Sequence, residues 1–439
     1  MSGFRPFPLT MGKTYVDDCS KYICINRLID LICLIYSVSM VKYKSMKMKG
    51  YIYTMYIKTI DYMKGMGIFL VVLAHTNFSS QFINLFHMAV FFIIAGYCYH
   101  DFYSEDVKAV SLFIKKRLKS LYIPYVFCNM ILICLHNLFY KINIYTDNPS
   151  FVENDILHAS YGAVSAYTTK DFIYHIILTL GFVDGEQLAG TIWFLRALFE
   201  VSILYVMIDY VSRKCNRYRT CFIFASSIFI ITIGYFLNIN NIHIITGIEQ
   251  TCYYFIFFTI GVFLQRINIE KVLQFAHTHG IYVISVILSA SVLIVNNYLF
   301  SHALVAEVNS PFFYVTNGMC GGYCLMAIAK ILMKSHFTEF VAYMGRNSLH
   351  IMLWHFLSFK LVSYGYIMFH NMPAYYIASF PVLKVRYLWI IYTIVGIALP
   401  LVTAYILQMA MKFLKHRFEK SLKSSRFTIK LCAKHKFNE

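Results

Sequence analysis

The sequence is short of charge. Only 14% of its 439 residues are Asp, Glu, Lys or Arg, against about 25% in an average soluble domain. Hydrophobic residues make up 59%, the mean hydropathy is +0.59, and long apolar runs recur along the whole length. Because such runs are long enough to cross a bilayer as helices, this composition excludes an ordinary soluble protein and predicts an all-α polytopic membrane protein.

The signatures of several common sites are also missing. The twelve cysteines contain no Cys-x-x-Cys pair and lie mostly inside apolar runs, so we interpret them as packing residues rather than disulfide partners or metal ligands. His350 and His355 are five residues apart, whereas helical zinc ligands are four apart. We therefore expect no metal site. A phosphate-binding loop, a dinucleotide fingerprint and a Gly-x-Ser-x-Gly nucleophile are absent as well.

Acidic residues are the scarcer charged group, with 21 against 39 basic residues and a net charge of +18. In a soluble protein this excess would suggest nucleic acid. In a membrane protein, basic cytoplasmic loops are the simpler explanation. We therefore expect membrane lipids as neighbours and no nucleic-acid partner.

The apolar runs predict about ten membrane-spanning helices. Their approximate ranges are 61–79, 82–100, 119–140, 191–210, 220–238, 250–266, 280–299, 311–333, 349–369 and 386–411. Basic residues cluster after every second span and in the tail, whereas residues 141–190, 239–249 and 300–310 are poor in them. The positive-inside rule then places both termini in the cytoplasm. The loop 370–385 is a weak exception, since the rule places it outside although it contains Lys384. The short apolar stretch 171–182 is either an interfacial or a re-entrant segment.

Three segments follow from this division. Residues 1–57 form an N-terminal extension outside the functional fold, 58–411 the transmembrane domain, and 412–439 a basic cytoplasmic tail. The tail either lies on anionic lipid or is solvated. We see no internal repeat, and no further segment is long enough to form a soluble domain.

The first two spans carry ionisable residues, which in a membrane indicate function by default. Asp61, Lys64 and His75 lie in the first span and His87 in the second. Lys64 and His75 are eleven residues apart, so they share one helix face at about 16 Å along the axis. Asp61 can pair with Lys64. Both histidines belong to the outer halves of their spans and can face one cavity. The alternative is that each only hydrogen-bonds a neighbouring helix.

These residues resemble acyltransferase family 3, the multi-spanning membrane acyltransferases. That family has an Arg, ten residues and a His in its first helix, then a Phe-His-hydrophobic-Phe-Phe-Gly segment. Here Lys64 replaces the Arg, as in the fucose 4-O-acetylase-like branch with its Ile-Asp-Tyr-x-Lys-Gly start. The resemblance covers roughly residues 58–411.

Three later segments match the family in the expected order. The basic stretch with Lys115, Lys116 and Arg117 precedes Pro124-Tyr125, and the resemblance implies a role near the donor. Bases there suit the phosphates of coenzyme A, although ordinary cytoplasmic anchoring explains them too. The Trp193-Phe-Leu-Arg196 segment and His355 on a late helix imply acceptor contacts. Trp193 is otherwise an interfacial anchor, and Arg196 is otherwise a structural partner of Glu200.

The resemblance implies an integral O-acetyltransferase of the cell (plasma) membrane. Acetyl-CoA would donate an acetyl group to a hydroxyl of a cell-surface polysaccharide or a lipid-linked sugar, as in exopolysaccharide biosynthesis. His75 is the expected catalytic base or acyl carrier. His87 would orient His75, contact the acceptor or stabilise an oxyanion, and Lys64 and Asp61 would shape the site. A non-enzymatic glycolipid or polysaccharide transporter or flippase stays open, since its spans and buried charges would look the same. A polysaccharide polymerase is disfavoured, because such enzymes tend to carry a large outer loop with functional arginines. The large loop here, residues 141–190, is acidic and has no Arg.

Overall fold

A computed structural model describes residues 50–159, 162–183, 185–242, 247–267, 281–299, 310–332 and 338–435. Every regular element in these ranges is helical. The α-helices are α1 Gly50–Ala74, α2 Ser80–Asn84, α3 His87–Tyr97, α4 Val107–Arg117, α5 Ile123–Lys141, α6 Thr169–Leu180, α7 Trp193–Ser212, α8 Arg219–Ile239, α9 Ile248–Arg266, α10 Ile281–Leu299, α11 Pro311–Leu332, α12 Thr338–Arg346, α13 Ser348–Phe369 and α14 Leu388–His435.

Each apolar run coincides with a helix, so the all-α prediction is confirmed. Within the described ranges, six helical stretches are long and apolar enough to cross a membrane. They are Ser80–Tyr97, Val107–Lys141, Gln187–Ile239, Ile281–Leu299, Pro311–Leu332 and Leu388–Lys415. The protein is therefore a membrane protein. The count of ten spans and the cytoplasmic position of both termini stay predictions.

The first two predicted spans, 61–79 and 82–100, are not continuous helices over their whole length. The run 61–79 ends early as a helix, at Ala74, because Asn77 and Ser79 adopt left-handed backbone conformations with φ of 64° and 48°. The run 82–100 is divided into α2 and α3, and Phe86 between them has a non-helical backbone. The polypeptide therefore folds back on itself between the first two long helices.

The short apolar stretch 171–182 coincides with α6. Thr168 caps its first turn together with Asp171 in a reciprocal capping box. Three of its apolar side chains, Ile173, Tyr174 and Ile177, are more than half exposed and share one helix face. An amphipathic helix of this kind suits the membrane interface.

Small residues allow close helix contacts, which are common between membrane helices. A methyl group on Gly345 of α12 would overlap the Asp61 carbonyl oxygen of α1, and one on Gly65 would overlap that of Val341. Likewise, a methyl group on Gly96 of α3 would overlap the Phe258 carbonyl oxygen of α9. The backbones of α1 and α12, and of α3 and α9, therefore touch directly.

A buried ionic cluster ties together the end of α7, the start of α8 and the end of α9. The Asp209 carboxylate is fully buried and accepts hydrogen bonds from Tyr99 at 3.0 Å, from Ser104 at 2.7 Å and from Arg219 at 2.7 Å. Arg266 pairs with both Asp209 and Asp101. Arg219 and Arg266, which belong to the basic loops of the sequence, are thus paired with carboxylates that balance their charge.

At the other end of α7, two long connections hold each other in place. The Phe380 amide donates to the His158 carbonyl at 2.9 Å, and the Lys384 amide donates to the Ile156 carbonyl at 2.8 Å. The Lys384 ammonium also pairs with Glu153, and this contact holds the pKa of the Glu153 carboxyl below its usual value. The weak exception in the charge pattern, Lys384, therefore has a carboxylate partner.

The contacts divide the chain into two units at Val402. Residues 50–402 of the described ranges form one of them, which contains all the residues discussed below. In the second unit the described residues continue as the helical part of α14 from Thr403 to His435. Most of the predicted extension 1–57, namely residues 1–49, lies outside the described residues, and residues 50–57 form the first turns of α1.

The close contact of α12 with α1 makes a prediction about stability. Gly345→Ala should destabilise the purified protein by about 1–3 kcal/mol, because the added methyl group forces two backbones apart. Thermal unfolding in detergent would measure this. The control is Gly365→Ala in α13, where a methyl group meets nothing within 4 Å, and it should unfold at or above the wild-type temperature. Equal unfolding temperatures for the two variants would contradict the contact.

Candidate active site

The turn between α1 and α3 lies deep among the helices. Gly396, eight residues into α14, faces Val72 of α1. Gly321, ten residues into α11, faces the ring of Phe86. Helices rise about 1.5 Å per residue, so the turn lies roughly 12–15 Å along both neighbours. The end of α1 and the start of α3 are therefore surrounded by other helices.

A cavity of about 450 Å³ opens beside this turn. Both predicted histidines, His75 and His87, lie on its wall, as does Trp193 at the start of α7. The remaining lining comes from Val71, Asn84, Met88, Phe91, Thr191, Phe194, Asn238, Asn241, Glu249, Gln250, Tyr253, Tyr254, Tyr314 and Met352. The expectation that the two histidines face one cavity is thus matched by the geometry.

Backbone carbonyl groups fix the tautomers of both cavity histidines. His75 Nδ1 lies 2.7 Å from the Val71 carbonyl oxygen, and His87 Nδ1 lies 2.9 Å from that of Ile83. A carbonyl oxygen only accepts, so each Nδ1 must carry the proton and donate it. In the neutral imidazole the lone pair is then on Nε2. Each ring therefore offers its basic nitrogen on the side away from its own helix.

A third histidine lies beside His75. The ring centroids of His75 and His355 are 5.2 Å apart, with the planes tilted by 46°. His355 is fully buried in α13, and its Nδ1 donates to the carbonyl oxygens of Ile351 and Met352 at 3.0 Å. Its Nε2 has no hydrogen-bond partner among the described residues. The sequence placed His355 with the acceptor contacts; the structure places it behind His75, outside the cavity lining.

The segment around Trp193 supplies one wall. Thr191 donates to the Met352 carbonyl oxygen at 2.8 Å, which fixes the start of α7 against α13. Trp193 packs against Tyr254 with ring centroids 5.8 Å apart. Arg196 and Glu200 form the predicted i, i+4 ion pair at 3.8 Å. Arg196 is buried against Gly247 rather than lining the cavity, so its observed contacts are those of a structural residue.

Asp61 and Lys64 lie near the middle of α1, about 21 and 16 Å along the helix axis from His75. Asp61 pairs with Arg346 of α12 at 3.9 Å. No Asp61–Lys64 contact within 4 Å occurs among the ion pairs of the described residues, although the charge of Lys64 also acts on the Asp61 carboxylate. Neither Asp61 nor Lys64 lines the cavity. The shared helix face of Lys64 and His75 therefore does not bring these groups into one site.

The basic stretch at the end of α4 lies far from the cavity. Lys115 and Lys116 are exposed, and Lys116 donates to the Tyr103 hydroxyl at 2.7 Å. Arg117 is half-buried over the ring of Phe113 at 4.8 Å. Helix α4 packs on α7 at the end that carries the Asp209 cluster, about 24 Å along α7 from Trp193. Basic side chains and cavity thus occupy opposite ends of the same helices.

A buried acid–base pair anchors the segment that leads into α7. His136 Nδ1 lies 3.0 Å from Glu186 Oε1, and both side chains are 1–2% exposed. His136 Nε2 lies 3.0 Å from the Ser165 carbonyl oxygen, and Tyr145 donates to Glu186 at 3.0 Å. The ring of Tyr167 stacks on His136 at 3.3 Å between centroids. These bonds hold Glu186 one residue before the turn Gln187–Ile192 that carries Thr191.

Sequence reasoning missed one wall of the cavity. Asn238 in the last turn of α8, Asn241 just after it, and Glu249 and Gln250 at the start of α9 contribute four polar side chains to its lining. The available signal was their position: polar residues interrupt the sequence between two apolar runs, where a loop is the ordinary interpretation. Residues 243–246 between them lie outside the described ranges.

The comparisons with known proteins agree with this geometry. A family model described as an acyltransferase domain, that of acyltransferase family 3, matches residues 57–409. The chain belongs to acyltransferase family 3. No curated protein and no solved structure matches the chain significantly. The family supports a membrane acyltransferase and covers α1 to the first part of α14.

The His136–Glu186 pair makes a second prediction about stability. Glu186→Leu should cost about 3–5 kcal/mol of unfolding free energy, because it leaves buried His136 and Tyr145 without their shared acceptor. Thermal or denaturant unfolding of the purified acyltransferase would show the loss. The control Glu153→Leu removes an exposed ion pair, whose contribution is about 0–1 kcal/mol. Similar losses in the two variants would sink the claim that the buried pair is an anchor.

Proposed function

We propose that this family 3 acyltransferase moves an acetyl group from acetyl-CoA to a hydroxyl of a cell-surface polysaccharide or lipid-linked sugar in the plasma membrane. The observation that carries the proposal is the pair of histidines that line one cavity and whose Nδ1 atoms are both committed to backbone carbonyl oxygens. The proposed specificity follows the fucose 4-O-acetylase-like branch, which shares the Ile-Asp-Tyr-x-Lys-Gly start.

His75 is the proposed general base. Its Nε2 lone pair takes the proton of the acceptor hydroxyl while the oxygen attacks the thioester carbonyl carbon. The new carbon–oxygen bond forms as the carbon–sulfur bond breaks, and the thiolate of coenzyme A takes up a proton. Because Val71 holds Nδ1–H, the base presents one defined nitrogen to the substrate. Transfer through an acetyl group carried on Nε2 uses the same nitrogen.

His87 is the proposed second contact to the reacting groups. Once protonated or bridged by a water molecule, its Nε2 can donate to the oxyanion that forms at the carbonyl oxygen. In its neutral form the same nitrogen accepts from an acceptor hydroxyl. Both roles use Nε2, the ring nitrogen that the Ile83 hydrogen bond leaves unengaged.

The rest of the lining suits a sugar. The amides of Asn238, Asn241 and Gln250 can both donate to and accept from hydroxyl groups. Aromatic rings of Trp193 and Tyr254 offer apolar faces on which the C–H face of a pyranose can stack. A volume of about 450 Å³ is within the range of small-molecule sites. We propose that this wall holds the acceptor.

The donor is proposed to bind from the end of the bundle that carries Lys115, Lys116 and Arg117. Arg and Lys side chains bind phosphate groups through charge-assisted hydrogen bonds. The thioester of coenzyme A is at the tip of a long flexible arm, so its phosphates need not lie near the cavity. Lys64, about 16 Å along α1 from His75, is proposed to contact the donor, with Asp61 held against Arg346.

The central prediction concerns His75. His75→Ala should lower acetyl transfer by about 10²–10⁴-fold, the usual contribution of a general base. The measurement is the O-acetyl content of surface glycan from cells that lack the protein and are complemented at matched membrane levels. The control is His370→Ala, an exposed histidine just after α13, which should restore the wild-type ester content.

Two results would contradict this assignment. Full restoration of the esters by His75→Ala would show that another residue is the base. If wild type changed the amount of exported glycan and not its ester content, the chain would act as a transporter instead.

The acceptor wall makes a separate prediction. Asn238→Ala should raise the KM for acceptor roughly fivefold, because it removes about 1 kcal/mol of hydrogen bonding, and should leave the KM for acetyl-CoA unchanged. Purified protein and de-esterified surface glycan from the source cells would serve for the assay. Asn240→Ala, two residues away and exposed, is the control. A changed KM for acetyl-CoA, or equal effects of both variants, would rule out the proposed wall.

A further inference from the structure

The unusual feature of the site is a buried lone pair without a donor. His355 is fully buried, and its Nδ1–H is committed to the carbonyl oxygens of its own helix. Its Nε2 must then be the acceptor, and among the described residues nothing donates to it. Leaving a buried acceptor unsatisfied costs about 1–3 kcal/mol. Such a group in a folded protein calls for an explanation.

The surroundings of the His355 ring are apolar on its own helix. Phe356 and Phe359 of α13 lie 4.5 and 5.4 Å away, centroid to centroid. Across the helix contact, the neighbouring ring is His75 at 5.2 Å. A phenylalanine at position 355 would match these contacts without a desolvated nitrogen. Packing alone therefore does not account for a histidine at this position.

In the resting state the two rings are mismatched. Both carry their protons on Nδ1 and donate them to their own helices, so His75 Nε2 and His355 Nε2 are both acceptors. Acyl transfer removes the mismatch, since His75 takes a proton from the acceptor hydroxyl. The imidazolium then has a second N–H and a positive charge next to an unused lone pair.

We propose that His355 is a positioning residue that stabilises the protonated form of His75 during transfer, because the negative end of its ring dipole, the Nε2 lone pair, lies beside the ring that gains the positive charge. The inference rests on the proposed role of His75 as the base. His355 does not touch the substrate in this account, because it lies behind His75 and outside the cavity lining. The Nε2 lone pair of His355 stabilises His75 only after His75 is protonated. Before that, no described residue donates a hydrogen bond to it.

The test compares two substitutions at the same position. His355→Phe keeps the ring and the apolar contacts but removes the lone pair. His355→Gln keeps an acceptor oxygen and a donor but loses the ring. A residue needed only for packing would tolerate Phe better than Gln. A residue needed for its lone pair would tolerate Gln better than Phe, so the two explanations predict opposite orders.

The assay is release of free thiol from acetyl-CoA by the purified full-length protein, with de-esterified surface glycan from the source cells as acceptor. We expect His355→Phe to lower kcat roughly 10-fold or more, the lower end of the range for a polar contact with a charged group. KM for acetyl-CoA should change less than twofold. His355→Gln should recover part of the lost kcat. His370→Phe, just after the same helix, is the matched control and should behave as wild type.

The outcomes separate this inference from the proposed function. An inactive wild type, or an active His75→Ala variant, would remove the base on which the inference depends. An active wild type and inactive His75→Ala, together with a kcat for His355→Phe equal to or above that of His355→Gln, would overturn the role of His355 alone. If His355→Phe does not fold, His355→Met, also without a basic nitrogen, takes its place in the same comparison.

Discussion

The structure depends on how a helix can end inside a bundle of apolar helices. Where no water is available, every freed backbone group must find a partner within the protein. Helix α1 ends about halfway along its neighbours, and side chains share the carbonyl oxygens near its end with backbone amides. His75 donates to Val71 and Thr76 donates to Leu73 at 2.7 Å, while His87 donates to Ile83 in the adjoining short helix. The hydrogen bonds that make this break tolerable also set the tautomers of the two histidines. The same contacts therefore satisfy the backbone and fix the histidine tautomers that the proposed chemistry uses. The sequence offered two alternatives for these histidines, a structural hydrogen bond or a place on a cavity, and both describe them.

Much of the architecture could be read from the sequence, because it follows from single-residue properties. Apolar runs locate the helices, since a helix is the simplest way to satisfy a backbone in lipid. The Phe-His segment and the family resemblance placed His75 and His87 on one cavity. The position at which α1 ends among its neighbours could not be predicted from the sequence. A run of apolar residues does not reveal the left-handed backbone conformations of Asn77 and Ser79 just after the helix end. Periodicity along one helix likewise grouped Lys64 with His75, although the partner of Asp61 comes from α12. Contacts between distant segments decide such questions, and one sequence does not contain them.

The polar wall from α8 and α9 illustrates the same limit. Asn238, Asn241 and Gln250 belong to no motif, and isolated asparagines near a loop usually serve the turn itself. They join the site only because α9 packs against α3 through Gly96, whose missing side chain lets the Phe258 carbonyl group approach. A small residue in one helix thus brings the polar end of another helix opposite His87. Under the proposed function, acceptor recognition by this family 3 acyltransferase depends on the end of α8 and the start of α9, which are separate in sequence from the two histidines.

The two ends of the bundle are built for different electrostatic tasks. Around Asp209, four arginine and carboxylate side chains neutralise one another, so the bundle is closed by a rigid ionic contact rather than by unpaired charge. The described side chains around the cavity are mostly neutral. In the neutral rings of His75 and His87, Nδ1 donates to a backbone carbonyl oxygen and Nε2 is an acceptor. Under the proposed mechanism, a charge formed there meets few fixed charges, and electrostatic interactions are stronger in such surroundings than in water. A neutral ring such as His355, beside the proposed base, would then influence the reaction more than a distant lysine or arginine.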